Sequence, residues 1–168
     1  MKTPICNVCV KSEDELCSMC EEKLEDGEIT ETDIEVSRIL HDLSSEYASL
    51  KDSEILKVFE AENVIVIVTA EGDGAKVVGR SGDIVKEVAD RIGKSIRVVE
   101  KAEDDIDTIK GLLSPAEVES INTVFSPEGQ SKKIVVDEEY EGKINLSVEE
   151  FENIIAEITE EEYSLSFE

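Results

Sequence analysis

The sequence predicts an α+β fold, and three patterns predict it. Val64-Ile65-Val66-Ile67-Val68 is wholly apolar and reads as a strand buried on both faces. Ile84, Val85, Val88, Ala89 and Ile92 then fall at i, i+1, i+4, i+5 and i+8, one stripe of an amphipathic helix. At the end of the chain Tyr163, Leu165 and Phe167 alternate with Ser164 and Ser166, as in a strand with one buried face. Helical and strand periods alternate along the whole length between these points.

Composition bounds the rest. The chain has 168 residues, 40% hydrophobic, enough for one domain plus a small appendage. Its formal charge of −25 and pI near 4.2 exclude a broad nucleic-acid-coating surface. They fit a protein with one local RNA-binding patch, a protein that meets a basic partner, or one dispersed in a salt-rich cytoplasm. No apolar segment approaches the ~20 residues of a membrane span, and no signal-peptide pattern opens the chain, which therefore reads as cytoplasmic with no membrane partner. No Ser/His/Asp set, catalytic cysteine or Walker loop is present, and His41 is the only histidine, so no enzyme is expected.

Cys6, Cys9, Cys17 and Cys20 open the chain as C-x2-C-x7-C-x2-C. Two C-x-x-C knuckles offer four thiolates at the spacing a tetrahedral ion needs, which favours structural zinc. Disulfides and an iron-sulfur cluster are the alternatives. Residues 21–32 form an acidic connection broken at Gly27, after which Thr32 reads as the N-cap of a helix running through Val36, Ile39, Leu40, Leu43, Tyr47 and Leu50. Ile55 to Phe59 reads as a shorter helical run and Glu71–Gly74 as a turn. After a strand at Ile96–Val99, Asp104–Leu113 is expected as a helix, and Ser114-Pro115-Ala116-Glu117 has the pattern of a capping box that would start another. Ile121–Phe125 and Lys133–Val136 form a hairpin about Ser126–Gly129. Ser147 and Glu150 make a second capping box for a helix through Phe151, Ile154, Ile155 and Ile158.

Gly79-Arg80-Ser81-Gly82 stands where the central helix begins. Glycines flanking two polar residues let a sugar-phosphate backbone pass close to a helix start. Residues 75–101 hold seven basic residues against four acids, a net +3, which leaves −28 for the remainder. The candidate RNA-binding residues are Gly79, Arg80, Ser81 and Gly82 with Lys76, Lys86 and Arg97. A groove of Val77, Val78, Ile84 and Val85 beside the Ile96–Val99 strand is expected to receive bases of single-stranded RNA.

These words resemble a known family. VVGRSGDIVKEVADRIGKSIRVVEK and LLSPAEVESINTVFSPEG are similar to the first KH domain of archaeal NusA-like proteins, and CNVC…CSMC resembles the zinc-binding start of related archaeal KH proteins. The resemblance implies a type II (prokaryotic-topology) KH domain over residues 61–137, behind a zinc module at 1–28 and connecting helices at 29–60. Residues 138–168 would complete a degenerate βαβ lobe, with Glu141-Gly142-Lys143-Ile144-Asn145 where a second clamp would stand. It further implies an RNA-binding accessory factor in transcription elongation, termination or RNA metabolism. The alternative is a docking adaptor on RNA polymerase or the ribosome.

Overall fold

The computed structural model describes all 168 residues and divides into two compact units, residues 1–60 with 64–100, and residues 61–63 with 101–168. The span 61–137 is thus shared between them. In the first unit the order is α1 (Asn7–Lys11), α2 (Ser18–Glu25), α3 (Glu31–Leu43), β1 (Ile55–Glu60), β2 (Val64–Ala70), α4 (Gly74–Val78), α5 (Asp83–Ile92) and β3 (Ser95–Lys101). The second runs α6 (Asp105–Leu113), β4 (Val118–Ser126), β5 (Gly129–Val136), α7 (Val148–Thr159) and β6 (Tyr163–Phe167).

From α3 onward the two units repeat one plan. A helix precedes an antiparallel hairpin, then come a short helical turn, a loop, a second helix and a third strand. The sheets have the orders β1-β2-β3 and β4-β5-β6, and β5 and β6 are parallel. Each hairpin carries a bulge at the same place. Ile55 pairs with Thr69 and Lys57 with Val68, passing over Leu56; Val118 pairs with Val136 and Ser120 with Val135, passing over Glu119. A shared irregularity of this kind marks a designed feature of the plan rather than a defect.

The sheet of the first unit explains its sequence. β2 is the central strand and is buried along Val64–Thr69, as its unbroken apolar run requires. Val36, Leu40 and Leu43 of α3 share a core with Ile55, Val58, Ile65, Ile67, Val77, Ile84 and Val88. In the second unit Leu112, Leu113, Ile134, Val136, Phe151, Ile155 and Leu165 are buried.

Four local expectations are corrected. Ile55–Phe59 is a strand rather than a helix, because it buries Ile55 and Val58 while pairing with β2, a choice a mostly apolar run of five residues cannot make alone. α3 stops at Leu43; Leu50 reaches the same core from a 3-10 turn at Ala48–Asp52. The cap of α3 is Thr30, not Thr32. No helix follows Ser114-Pro115, since β4 starts at Val118 and its backbone is taken up by pairing with β5.

The Thr30 cap matters because its partner is buried. Asp33 at the third helical position is fully buried, and its Oδ2 accepts from Thr30 N–H and Oγ1–H at 2.8 and 3.1 Å. Its Oδ1 accepts from Val58 N–H at 2.7 Å, and Lys57 Nζ lies 3.3 Å from Oδ2. One carboxylate therefore joins the start of α3 to the middle of β1. Asp33→Ala should cost about 3 kcal/mol or more, because Lys57 and two backbone-linked donors lose their acceptor together. Thr30→Ala should cost about 1 kcal/mol. Thr32, half-buried, caps nothing but donates to Glu60 Oε2 at 2.8 Å, so Thr32→Ala should cost about 0.5 kcal/mol; urea melts of the three variants check this order.

Candidate functional site

Two places in the first unit carry chemistry. At the first, Cys6 is the N-cap of α1 and Cys17 the N-cap of α2, so each knuckle is the opening turn of a short helix. Cys9 N–H donates to Cys6 Sγ at 3.4 Å and Cys20 N–H to Cys17 Sγ at 3.5 Å, and Cys17 N–H reaches Cys9 Sγ at 3.0 Å. All four sulfurs lie within 4.8 Å of one another, and Cys6 Sγ and Cys17 Sγ are 3.8 Å apart. Thiolates ~2.3 Å from a tetrahedral ion stand about 3.8 Å from each other, so the set fits a four-coordinate metal. Backbone donors pull the exposed Cys6 thiol down to about 6 and lower that of Cys17, whereas burial pushes Cys9 up to about 12 and raises Cys20.

The knuckles belong to the first unit rather than standing apart from it. Cys9 and Cys20 are buried with Ile5, Val10, Ile29 and Ile34. Arg38 of α3 was not singled out in the sequence, yet it holds the segment between the knuckles. Its Nε donates to Cys9 O at 3.2 Å, and its two terminal nitrogens to Glu13 O and Glu15 O at 3.1 and 3.0 Å. The only sequence signal was a cation one turn beyond the first apolar stripe of the helix. Before Cys6, Lys2 N–H donates to Ser53 O and Lys2 O accepts from Ile55 N–H, at 3.0 and 2.8 Å. Val8 and Met19, the third residue of each knuckle, are exposed. His41 is half-buried and is not among the clustered ligands.

The second place is the Gly79–Gly82 loop, which joins α4 to α5. Gly79 has φ +81°, and a Cβ there would collide with the Asp83 carboxylate and lie 2.6 Å from Ile84 Cγ1. Gly82 has φ +74° but room for a Cβ, so only its backbone conformation calls for glycine. Ser81 between them also has a positive φ, +56°. Arg80 and Ser81 are exposed, as the sequence led us to expect. Asp83 Oδ1 is buried over Gly79 with no hydrogen-bond partner.

Ion pairing thins the basic island around this loop. Lys76 Nζ is 2.9 Å from Asp73 Oδ1, Arg91 is 2.7 Å from Asp42, and Lys94 is 3.0 Å from Glu60. Arg80 and Lys86 stay exposed outside such pairs, and Arg97 is half-buried on β3. The expected apolar groove is corrected as well. Val77 and Ile84 are core residues with no exposed surface to offer a base, which leaves Val78 and Val85 half-exposed.

In the second unit the corresponding loop takes another form. Between the short turn Glu138–Tyr140 and α7, Ile144 is fully buried and Leu146 nearly so. The residues around them, Glu141, Gly142, Lys143 and Asn145, are exposed.

Two predictions concern the cysteines. With Cys9 and Cys20 holding their protons at pH 7, loading a divalent metal should release at least two protons, and affinity should rise with pH. Calorimetry in buffers of different ionisation enthalpy measures that number. Arg38→Ala should weaken metal affinity about 10-fold through loosening of Cys9, as loss of an outer-shell partner does; competition with a chromophoric chelator reads it.

No model of a known protein family matches the chain. Over 75 residues it is 30% identical to the probable transcription termination protein NusA of Methanococcus vannielii, covering 45% of this chain and 43% of that protein. The chain thus spans less than half the length of the curated relative it matches. A solved structure described as the crystal structure of APE1850 matches 78% of this chain and 96% of its own, with a TM-score of 0.56 and 22% identity, so the two share a fold.

Proposed function

We propose that the chain is an RNA-binding accessory factor built from two type II KH units, of which the first keeps its clamp and the second has lost it. The observation that carries this reading is the outward Arg80-Ser81 pair held between two left-handed glycines at the start of α5. Support comes from the likeness to a probable transcription termination protein and from the element order shared by the two units. In this reading the loop grips the backbone of single-stranded RNA over about four nucleotides. Arg80 and Lys86 supply the unpaired cations, while Lys76 shapes the loop through Asp73 and Asp52. Arg97 is half-buried on β3. Aliphatic contacts from Val78 and Val85 take the place of aromatic stacking. The four cysteines hold one structural zinc, with the thiolates fixing the N-terminal segment against α3 and no catalytic step assigned to it.

A second reading, a docking adaptor on RNA polymerase or the ribosome, is favoured by one observation. Three of the seven island cations are consumed in ion pairs, so the acidic remainder dominates the surface field.

Arg80→Asp with Ser81→Asp decides between them. Both side chains are exposed, so stability should move by about 0.5 kcal/mol or less. Single-stranded RNA binding should fall to background in the double variant. The wild type should show a shallow salt dependence, about −0.7 in log–log slope per phosphate contacted. Unchanged RNA affinity would leave the loop as a turn and favour the adaptor. Elemental analysis should find one zinc per chain, lost in Cys6→Ser or Cys17→Ser; iron, or four free thiols without metal, would overturn the zinc assignment.

A further inference from the structure

We propose that the free edge of β4 is a self-association surface, which pairs antiparallel with β4 of a second copy of this chain. β4 is the outer strand of the β4-β5-β6 sheet, so one side of its nine-residue backbone has no strand beside it. Proteins blunt such edges with charges, prolines or bulges. Here the bulge and Glu119 sit at the first residues and Pro127 lies beyond the last, while Ser120-Ile121-Asn122-Thr123-Val124-Phe125-Ser126 holds no charge at all. In a chain of −25 an uncharged stretch of that length on an open edge is exceptional. It also ends in the most costly exposure of the second unit, Phe125 at 73% next to Val124 at 40%.

The segment is self-complementary about Thr123. A two-fold axis through that residue sets Thr123 opposite Thr123, Ile121 opposite Phe125, Asn122 opposite Val124 and Ser120 opposite Ser126. Ile121, Thr123 and Phe125 alternate onto one face, so the pairing lines up a Phe–Thr–Ile stripe across the junction. Ile121 is half-buried and pairs within its own sheet with the fully buried Ile134. Each Phe125 would therefore be covered at the rim of the other copy's core, giving an isologous contact and a continuous six-stranded sheet. No like charges face each other between Ser120 and Ser126, which is the condition two strongly acidic copies need in order to meet here.

One strand edge buries less than the ~1,200 Å² of a stable interface, so the dimer is weak and concentration-dependent. Repulsion between the acidic bodies opposes it, and salt screens that repulsion over about 8 Å at physiological strength. Association should therefore strengthen as salt is raised, opposite to an interface built on ion pairs.

Sedimentation equilibrium of the full, metal-loaded chain across the micromolar range, at low and high salt, tests the proposal. The wild type should show a monomer–dimer equilibrium that tightens with salt. Thr123→Lys sets two cations opposite each other at the axis and should raise the dimer dissociation constant about tenfold or more, with an unchanged melting temperature. Thr123→Val should dimerise as the wild type does or more tightly. A wild type that is monomeric throughout, a dimer that salt weakens, or a Thr123→Lys variant that associates like the wild type would each overturn the proposal. Strand amides protected only on adding a different protein to a monomeric chain would overturn it too. None of these outcomes depends on whether the Gly79–Gly82 loop binds RNA.

Discussion

The buried carboxylate of Asp33 is the constraint around which the first unit is arranged. A charged group out of water must satisfy its oxygens, and this one does so with donors from two elements, the Thr30 cap of α3 and the Val58 amide of β1. Lys57 completes the set from the same strand. The helix is thereby fixed in register on the sheet edge. Everything α3 carries inherits that position, including Leu40 and Leu43 in the core and Arg38 on the knuckle segment.

Arg38 makes that inheritance functional. Three guanidinium nitrogens bonded to three carbonyls orient Cys9 and the chain that follows it to Glu15, so the metal ligands depend on a helix remote in sequence. The planar fork of arginine can satisfy three acceptors spread along a loop, where a lysine ammonium would act as a point charge. The N-terminal strand-like contact of Lys2 with the start of β1 holds the other end. The cysteine cluster is thus positioned by the same unit that bears the glycine loop.

The two units show how one plan diverges through a single loop. In the first, Gly79 permits a path no other residue could follow, because the space above it is filled by Asp83 and Ile84. Polar side chains are then forced outward. In the second, Ile144 and Leu146 turn inward while Glu141, Lys143 and Asn145 stay exposed. Their burial is a stability device: each large apolar side chain removed from water contributes about 1.5–3 kcal/mol. The loop of the second unit thus adds two apolar anchors, which the Gly79–Gly82 loop lacks.

Periodicity made most of the elements legible in the sequence. The all-apolar β2, the stripe of α5, the Ser147–Glu150 box of α7 and the alternation of β6 are local patterns, and the structure has each where the pattern stood. The cysteine spacing likewise named a four-sulfur cluster, because knuckle geometry is local to four residues. What tertiary structure decided are the matters that turn on a distant partner. Ile55–Phe59 has apolar residues that suit either period, and only β2 beside it makes it a strand. Thr30 outranks Thr32 as a cap because Asp33, three residues on, finds Val58 in a strand the sequence did not show. The basic island looked like a field, yet Asp42 and Glu60 reach it through the fold and, with the neighbouring Asp73, cancel much of it. A sequence records which side chains are charged or apolar; which of them meet is settled only when the chain closes on itself.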